Sequence, residues 1–540
     1  MVEFVSLHLL DGATVTEPPR RVWPARIAFA TATGAALFVA LGPFTPPLPS
    51  GAIAPADTFS ALRAARHVEV LAAAASRGDA AAYIESQLAA LGIPVPLLPG
   101  EESGDIVVRL RGLEPSGAVL IAAPYARPSG VAAAAAVLET ARALRTMARP
   151  RNDVVLAFPA EGGSGLERLL RTDAALGDVV LVLAVGGPGR RGPSALLASG
   201  PGSSRFLSDA ATVVPHPLVL LPTGLLASWL GASVPLGVPS FNAGRAGLAI
   251  GPFADALGPK LDLATLQDDG TTALALVRHF AAVPLGARPA GDVLAFNVGR
   301  AVLRYPAGWA RPLALASAVL AAALLALGIA RRRLSLAGLA VGTGAFLAAV
   351  VASGALAALF NAVLRSVRPG ALRPELLAAA WFVMAAAVAG FLDAALRNRR
   401  GLGDAALPSG ALLAWMIASL AAGYAFPEVS PAVVWPLLLL APAFLVLFLL
   451  HTPAHHPWLR TAALTVAAIP AVLLAAPLYV VVTSLPGRTG LEAAVAAALS
   501  AFFLSAFLSS LPLVSRRWIP PAVAALVALA LLGAAAVVKI

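Results

Sequence analysis

The chain has 540 residues, 59% of them hydrophobic and 12% charged, with a mean hydropathy of +0.83. That balance excludes an ordinary soluble protein and reads as a polytopic membrane protein. The net charge of +11 is assigned to arginines at membrane edges and not to nucleic acid, and the lack of cysteine excludes disulfides and thiolate-held metals.

Residues 1–25 read as a cytoplasmic tail, because Arg20, Arg21 and Arg26 flank the first apolar run. Residues 26–44 read as a membrane anchor. A signal peptide is the rival reading, but the long polar lead and the lack of a clear cleavage site favour a retained anchor. Residues 50–305 then form an extracytoplasmic domain, long enough to bury a core of its own. Its first segment, "DTFSALRAARHVEVLAAAASRG", has helical spacing with Asp57 as N-cap. "AAAYIESQLAALGIPV" predicts a second helix, closed by Gly92. "DIVVRLRG" and "GAVLIAAPY" read as strands, "GVAAAAAVLETARALRTM" as a helix. "NDVVLAF" and "DVVLVLAV" are apolar enough for central strands buried on both faces. "LDLATLQDDGTTALALVRHFA" reads as the closing helix. Alternating strands and helices imply an α/β sandwich around a mixed sheet.

Residues 311–540 read as an eight-span bundle, with spans starting near Pro312, Leu334, Pro374, Ala405, Pro431, Thr461, Leu491 and Trp518. With the anchor this makes nine spans. Arginine-rich loops alternate with poor ones as the positive-inside rule asks. One loop dissents: Arg365, Arg368 and Arg373 fall on the outer side, where anionic lipid headgroups are a candidate contact. His451, His455 and His456 form a cluster read as a solvated loop.

Six phrases, in order, carry a family resemblance: "FSALRAARHVEVLAA", "YIESQLAALGIPV", "DIVVRLRG", "RNDVVLAF", "RGPSALLASGPG" and "LDLATLQDDGTTALALVR". They resemble the zinc aminopeptidases of metallopeptidase family twenty-eight. The similarity is to the membrane-embedded branch, typified by endoplasmic reticulum metallopeptidases and fungal vacuolar membrane proteases. The resemblance implies an aminopeptidase-like α/β/α domain above an all-α transmembrane bundle.

It also implies two zinc ions, a bridging carboxylate and a Glu acting as general base. Chemistry of that kind needs imidazole and carboxylate ligands at set places. Here Pro124 stands at the first His position and Ala126 at the Asp that follows it. In "FPAEGGSG", Glu161 matches the general base, while Gly162 replaces the next ligand. Gly186 replaces the acid expected at the end of a later strand, and no histidine occurs between His216 and His279. Glu161 therefore stands as a vestigial base position, or simply as an exposed acid near a helix N-terminus.

The expectation is a pseudopeptidase: an integral, multi-pass protein of a bacterial cytoplasmic membrane that binds or scaffolds a polypeptide or membrane-protein partner. No metal or cofactor is expected. The alternatives are an active membrane-bound zinc metallopeptidase, with zinc retained, and a lipid-handling or transporter-like protein.

Overall fold

The computed structural model describes residues 46–95, 104–125, 130–161, 163–186, 194–199, 202–219, 244–251, 261–286, 293–298, 301–367, 374–397, 406–449 and 519–537. The expected tail and anchor, the spans near Thr461 and Leu491, and the cluster of His451, His455 and His456 lie outside these residues.

Helix α1 (Ala61–Ala73) starts at Ser60, whose hydroxyl accepts from the Arg63 amide. The expected cap, Asp57, lies upstream in a turn closed by Thr58 N–H donating to the Pro55 carbonyl at 3.1 Å. That turn takes the backbone out of helical reach, so the next hydroxyl serves. Helix α2 (Arg77–Ala90) opens on a capping box of Ser76 and Asp79. It closes at Gly92, whose φ of +67° is the left-handed conformation expected of a helix-ending glycine.

The further elements of the domain are β1 (Ile106–Leu110), β2 (Ala118–Ala122), α3 (Val131–Arg145), β3 (Asp153–Phe158) and α4 (Gly163–Thr172). After them come β4 (Val179–Val185), β5 (Ala195–Ser199), α5 (Ser203–Val213), β6 (Ala246–Gly251) and α6 (Leu263–Ala282). The hairpin β7 (Val293–Val298) and β8 (Ala301–Pro306) closes the series.

The six-stranded sheet runs β1-β3-β2-β4-β6-β5. Its four inner strands are parallel, and both edge strands are antiparallel to their neighbours. Every residue of β2 and β3 is buried, as expected of strands covered on both faces. Val119, Ile121, Leu156 and Leu183 face one core with α1, α3 and α6, while Leu120, Ala157 and Val182 face Leu166, Leu169 and Leu170 of α4. The result is the expected three-layered mixed α/β domain.

Among the described residues six apolar helices follow: α7 (Ala310–Ala330), α8 (Leu336–Val367), α9 (Pro374–Arg397), α10 (Ala406–Ala425), α11 (Ser430–Leu449) and α12 (Ile519–Val537). Each starts within two residues of an expected span. Three helical stretches, Ala307–Ala330, Leu336–Leu364 and Ala406–Ala425, are long and apolar enough to cross a membrane. Arg365 corrects one expectation. It lies in the last turn of α8 and not in a loop, because nothing breaks the helix before Pro369. Arg368 and Arg373 lie outside the described residues.

Small residues set the helix crossings. A Cβ on Gly410 of α10 would stand 2.1 Å from the backbone of Gly342 and Thr343 in α8. Ser317 and Ser419 share a buried hydroxyl–hydroxyl bond of 2.7 Å between α7 and α10. The hairpin meets the bundle through Trp435 of α11, whose ring lies 6.0 Å from Phe296 and 6.3 Å from Tyr305.

Two polar groups fasten the domain's opening segment. Glu139 of α3 is wholly buried and accepts from Arg63 Nε (2.8 Å), Arg142 Nε (2.7 Å) and the Ser60 amide (3.3 Å). The two guanidinium groups then donate to the carbonyls of Ala52, Ala54, Ala56 and Thr58. Gln267 of α6 accepts from the amides of Ser50 and Ala61, each at 2.9 Å, and donates to the Phe59 carbonyl at 3.1 Å. Three residues on, Gly270 leaves room for the Phe59 ring. The Leu-Gln-x-x-Gly phrase is thus architecture and not chemistry. Gly270→Ala would set a methyl 2.0 Å from that ring. It should cost about 1–3 kcal/mol through overpacking, read as a lower thermal midpoint, and Phe59→Leu in the same chain should recover most of the loss.

Candidate functional site

The parallel strands end together. Ala122 is level with Ala157 and Ala184, and Val185 with Ile250, so residues following β2, β3 and β4 gather at one edge of the sheet, beside the end of β6. Ligands of open α/β sheets bind at such carboxyl edges. Pro124, Glu161 and Gly186 all lie there. Backbone bonds continue past the strands: Tyr125 N–H donates to the Pro159 carbonyl (3.2 Å) and Gly186 N–H to the Ile250 carbonyl (3.0 Å). A Cβ on Gly251, with φ of +149°, would stand 2.2 Å from the Gly186 carbonyl oxygen. At the β4–β6 junction, main chain therefore lies against main chain.

Glu161 is half-exposed and is not alone. Arg168, two helical turns further along, donates one nitrogen to Glu161 Oε2 at 3.1 Å and another to Asp105 Oδ2 at 2.9 Å. Asp105 is almost wholly buried, and its second oxygen accepts from the Ala160 amide at 2.8 Å. These bonds, first to Asp105 and then to Glu161, hold the guanidinium even more firmly protonated than usual. Tyr125 closes the same edge. Its hydroxyl donates to the Gly104 carbonyl at 2.6 Å, and burial, then the Asp105 charge, raises its pKa. Gly104 has φ of +68°, and a Cβ there would lie 3.2 Å from that hydroxyl.

This arrangement stabilises a cation, the guanidinium, beside the residue that the resemblance assigns to the general base. Pro124 and Gly186 offer no ligand atom on a side chain. Ala126 and Gly162 lie outside the described residues, and neither residue type carries a donor. Among the described residues, no group of three or more His, Asp or Glu is placed to hold a metal ion. Asp105 and Arg168 were not singled out from the sequence. Glu161 precedes α4 and Arg168 lies within it, so no i,i+4 helix spacing flagged the pair in the sequence.

A second acidic feature was also missed. Ser194 precedes β5, next to the Ala195–Gly251 pair, and its amide donates to Asp268 Oδ2 of α6 at 2.8 Å. Burial raises Asp268 to about 6. Its neighbour Asp269 is pushed well above the usual carboxylate range by burial and then by the Asp268 charge.

No protein-family model matches the chain. No curated protein matches it either. Among solved structures, it is similar to Porphyromonas gingivalis glutaminyl cyclase, at 15% identity and a TM-score of 0.32, over 41% of this chain and 99% of that one. It is also similar to the Legionella pneumophila LapA aminopeptidase, at 10% identity and a TM-score of 0.32, over 52% of this chain and 77% of that one. Likeness at these scores identifies neither an activity nor a metal.

Asp105→Ala should remove about 2–4 kcal/mol of stability, since a buried network loses its anchor, whereas Glu161→Gln should change it by about 0.5 kcal/mol or less. Denaturant unfolding of the two variants checks this contrast. An acid whose folded pKa is raised favours folding at low pH. Stability should therefore fall as pH rises from the unfolded value of 3.8 through the Asp268 value of about 6, and Asp269, raised further by burial, extends the fall beyond it. Asp268→Asn should flatten that slope and stabilise the protein at pH 7 by about 3 kcal/mol, read from unfolding midpoints across pH.

Proposed function

We propose that the 50–305 domain is a peptidase-related module that binds a partner without hydrolysing it, carried by a multi-pass membrane protein. The protein is in this reading a pseudopeptidase with a binding or scaffolding role at the bilayer. The observation that carries it is the Arg168 guanidinium, fixed between Asp105 and Glu161. A general base of this family acts on a metal-bound water. Glu161 instead has a guanidinium beside it, a positive charge that opposes the approach of a dication. A dinuclear zinc site needs several imidazole or carboxylate ligands, and Pro124, Ala126, Gly162 and Gly186 supply none. These residues do not fit the zinc pair, and no hydrolytic step is derived through it.

The membrane setting is supported by the three long apolar helices. On the positive-inside rule, the arginine distribution favours a domain on the outer side of the membrane, which this reading takes to be a bacterial cytoplasmic membrane. The partners of this reading are the bilayer and a polypeptide or another membrane protein.

Full-length protein purified in detergent and supplied with zinc should hold less than about one ion per chain, and should release no product from aminoacyl-coumarin substrates. About two zincs per chain, with hydrolysis abolished by Glu161→Gln, would overturn the reading in favour of a metallopeptidase.

A further inference from the structure

A second concave surface lies at the other end of the sheet. Because β1 is antiparallel to β3, Arg109 and Leu110 pair with Val155 and Val154 at the start of β3, far from Glu161. The loop after β1 is fastened to the loop before β3. Arg149 Nε donates to the Arg111 carbonyl at 2.9 Å, Leu113 N–H to Pro150 at 2.9 Å, and Glu114 N–H to Arg151 at 3.0 Å. Gly112 permits this approach, since a Cβ there would lie 2.2 Å from the Arg151 carbonyl oxygen. The fastening gathers Arg111, Arg149 and Arg151 on one wall. The C-terminal ends of α3 and α6 add Arg145 and Arg278. With Arg109 these residues line a cavity of about 910 Å³.

Arg109 is already matched, by Asp153 at 2.9 Å and Asp178 at 2.7 Å. The other five arginines share the lining with one carboxylate, Glu114, which is 80% exposed and 4.0 Å from Arg151. Helix C-termini carry about half a negative charge each, so α3 and α6 offset only about one of the remaining positive charges. Among the described residues the Arg111 guanidinium has no hydrogen-bond or ion-pair partner. Among the described residues Arg145 and Arg149 give only Nε to protein carbonyls, so their terminal nitrogens make no hydrogen bond to the fold. Between the arginines the lining is apolar, from Leu110, Leu144 and Val154.

Like charges held this close repel unless an anion joins them. A guanidinium fork matches a phosphoryl group in two parallel bonds, and that group brings about −1.5 to −2 charge and three acceptor oxygens. We propose that this arginine pocket is a binding site for a phosphoryl oxyanion.

Calorimetric titration of the full chain in detergent tests it, with inorganic phosphate in one arm and monomeric dihexanoyl phosphatidic acid in the other. Binding in at least one arm is expected, weakening as salt is raised. Arg111→Gln with Arg151→Gln should weaken it about tenfold or more, since charged hydrogen bonds are lost. Among the described residues the two side chains make no hydrogen bond to the fold, so the thermal midpoint should hold. Glu114→Gln removes the opposing carboxylate and should tighten binding about two- to threefold. Equal binding in both arms assigns a free-phosphate site, and binding of the lipid alone assigns a headgroup site. No binding in either arm overturns the proposal, as does binding that the double variant leaves within about twofold of the parent.

Discussion

The carboxylate of Glu139 has no access to solvent and lies inside an alanine-rich helix. A charge so placed costs several kcal/mol unless it is paired and hydrogen-bonded. Arg63 and Arg142 meet it from two sides, and their remaining nitrogens reach carbonyls of the irregular segment that begins the domain. That segment has no ladder of its own, so those carbonyls need such partners. Gln267 ties the same segment to the last helix of the sandwich. Helices α1, α3 and α6 are thereby locked as one layer, and the sheet beneath them stays dry.

Both ends of that sheet use arginine, with opposite electrostatic outcomes. At the carboxyl edge Arg168 is balanced by Asp105 and Glu161, so the local charge is already settled. Glycines and backbone contacts occupy the neighbouring strand end, where a metal centre would require side chains. At the opposite end arginines outnumber acids and their nitrogens are only partly engaged. The domain's capacity for a new anion therefore lies away from the place where a peptidase fold would bind its substrate.

The strands β2, β3 and β4 were legible because unbroken apolar runs bounded by turn residues leave little choice. The bundle helices were legible from hydropathy, although Arg365 shows that a helix can outrun its apolar stretch. Strand β6 escaped notice because "AGLAIG" is rich in small residues, which have low strand propensity. The hairpin of β7 and β8 did carry a signal, two short apolar runs on either side of Gly299, and it went unread. The site was half legible. Ligand loss could be read position by position, but the partner of Glu161 depended on Asp105, which the fold brings across from another strand. Glu139 was hidden for the same reason, since its Arg63 partner is 76 residues away.

The length of α8 has a geometric consequence. Its 32 residues extend about 48 Å, while a bilayer's hydrocarbon layer is about 30 Å thick. An upright α8 would therefore project about 18 Å beyond the layer, and a leaning one would spread that excess across the membrane plane. Its contact with α10 is backbone against backbone at Gly342 and Gly410, with no side chain between them to absorb a change of slope. In a bilayer the inclination of α8 would thus be inherited by α10, and the pair would respond to its thickness as a single lever.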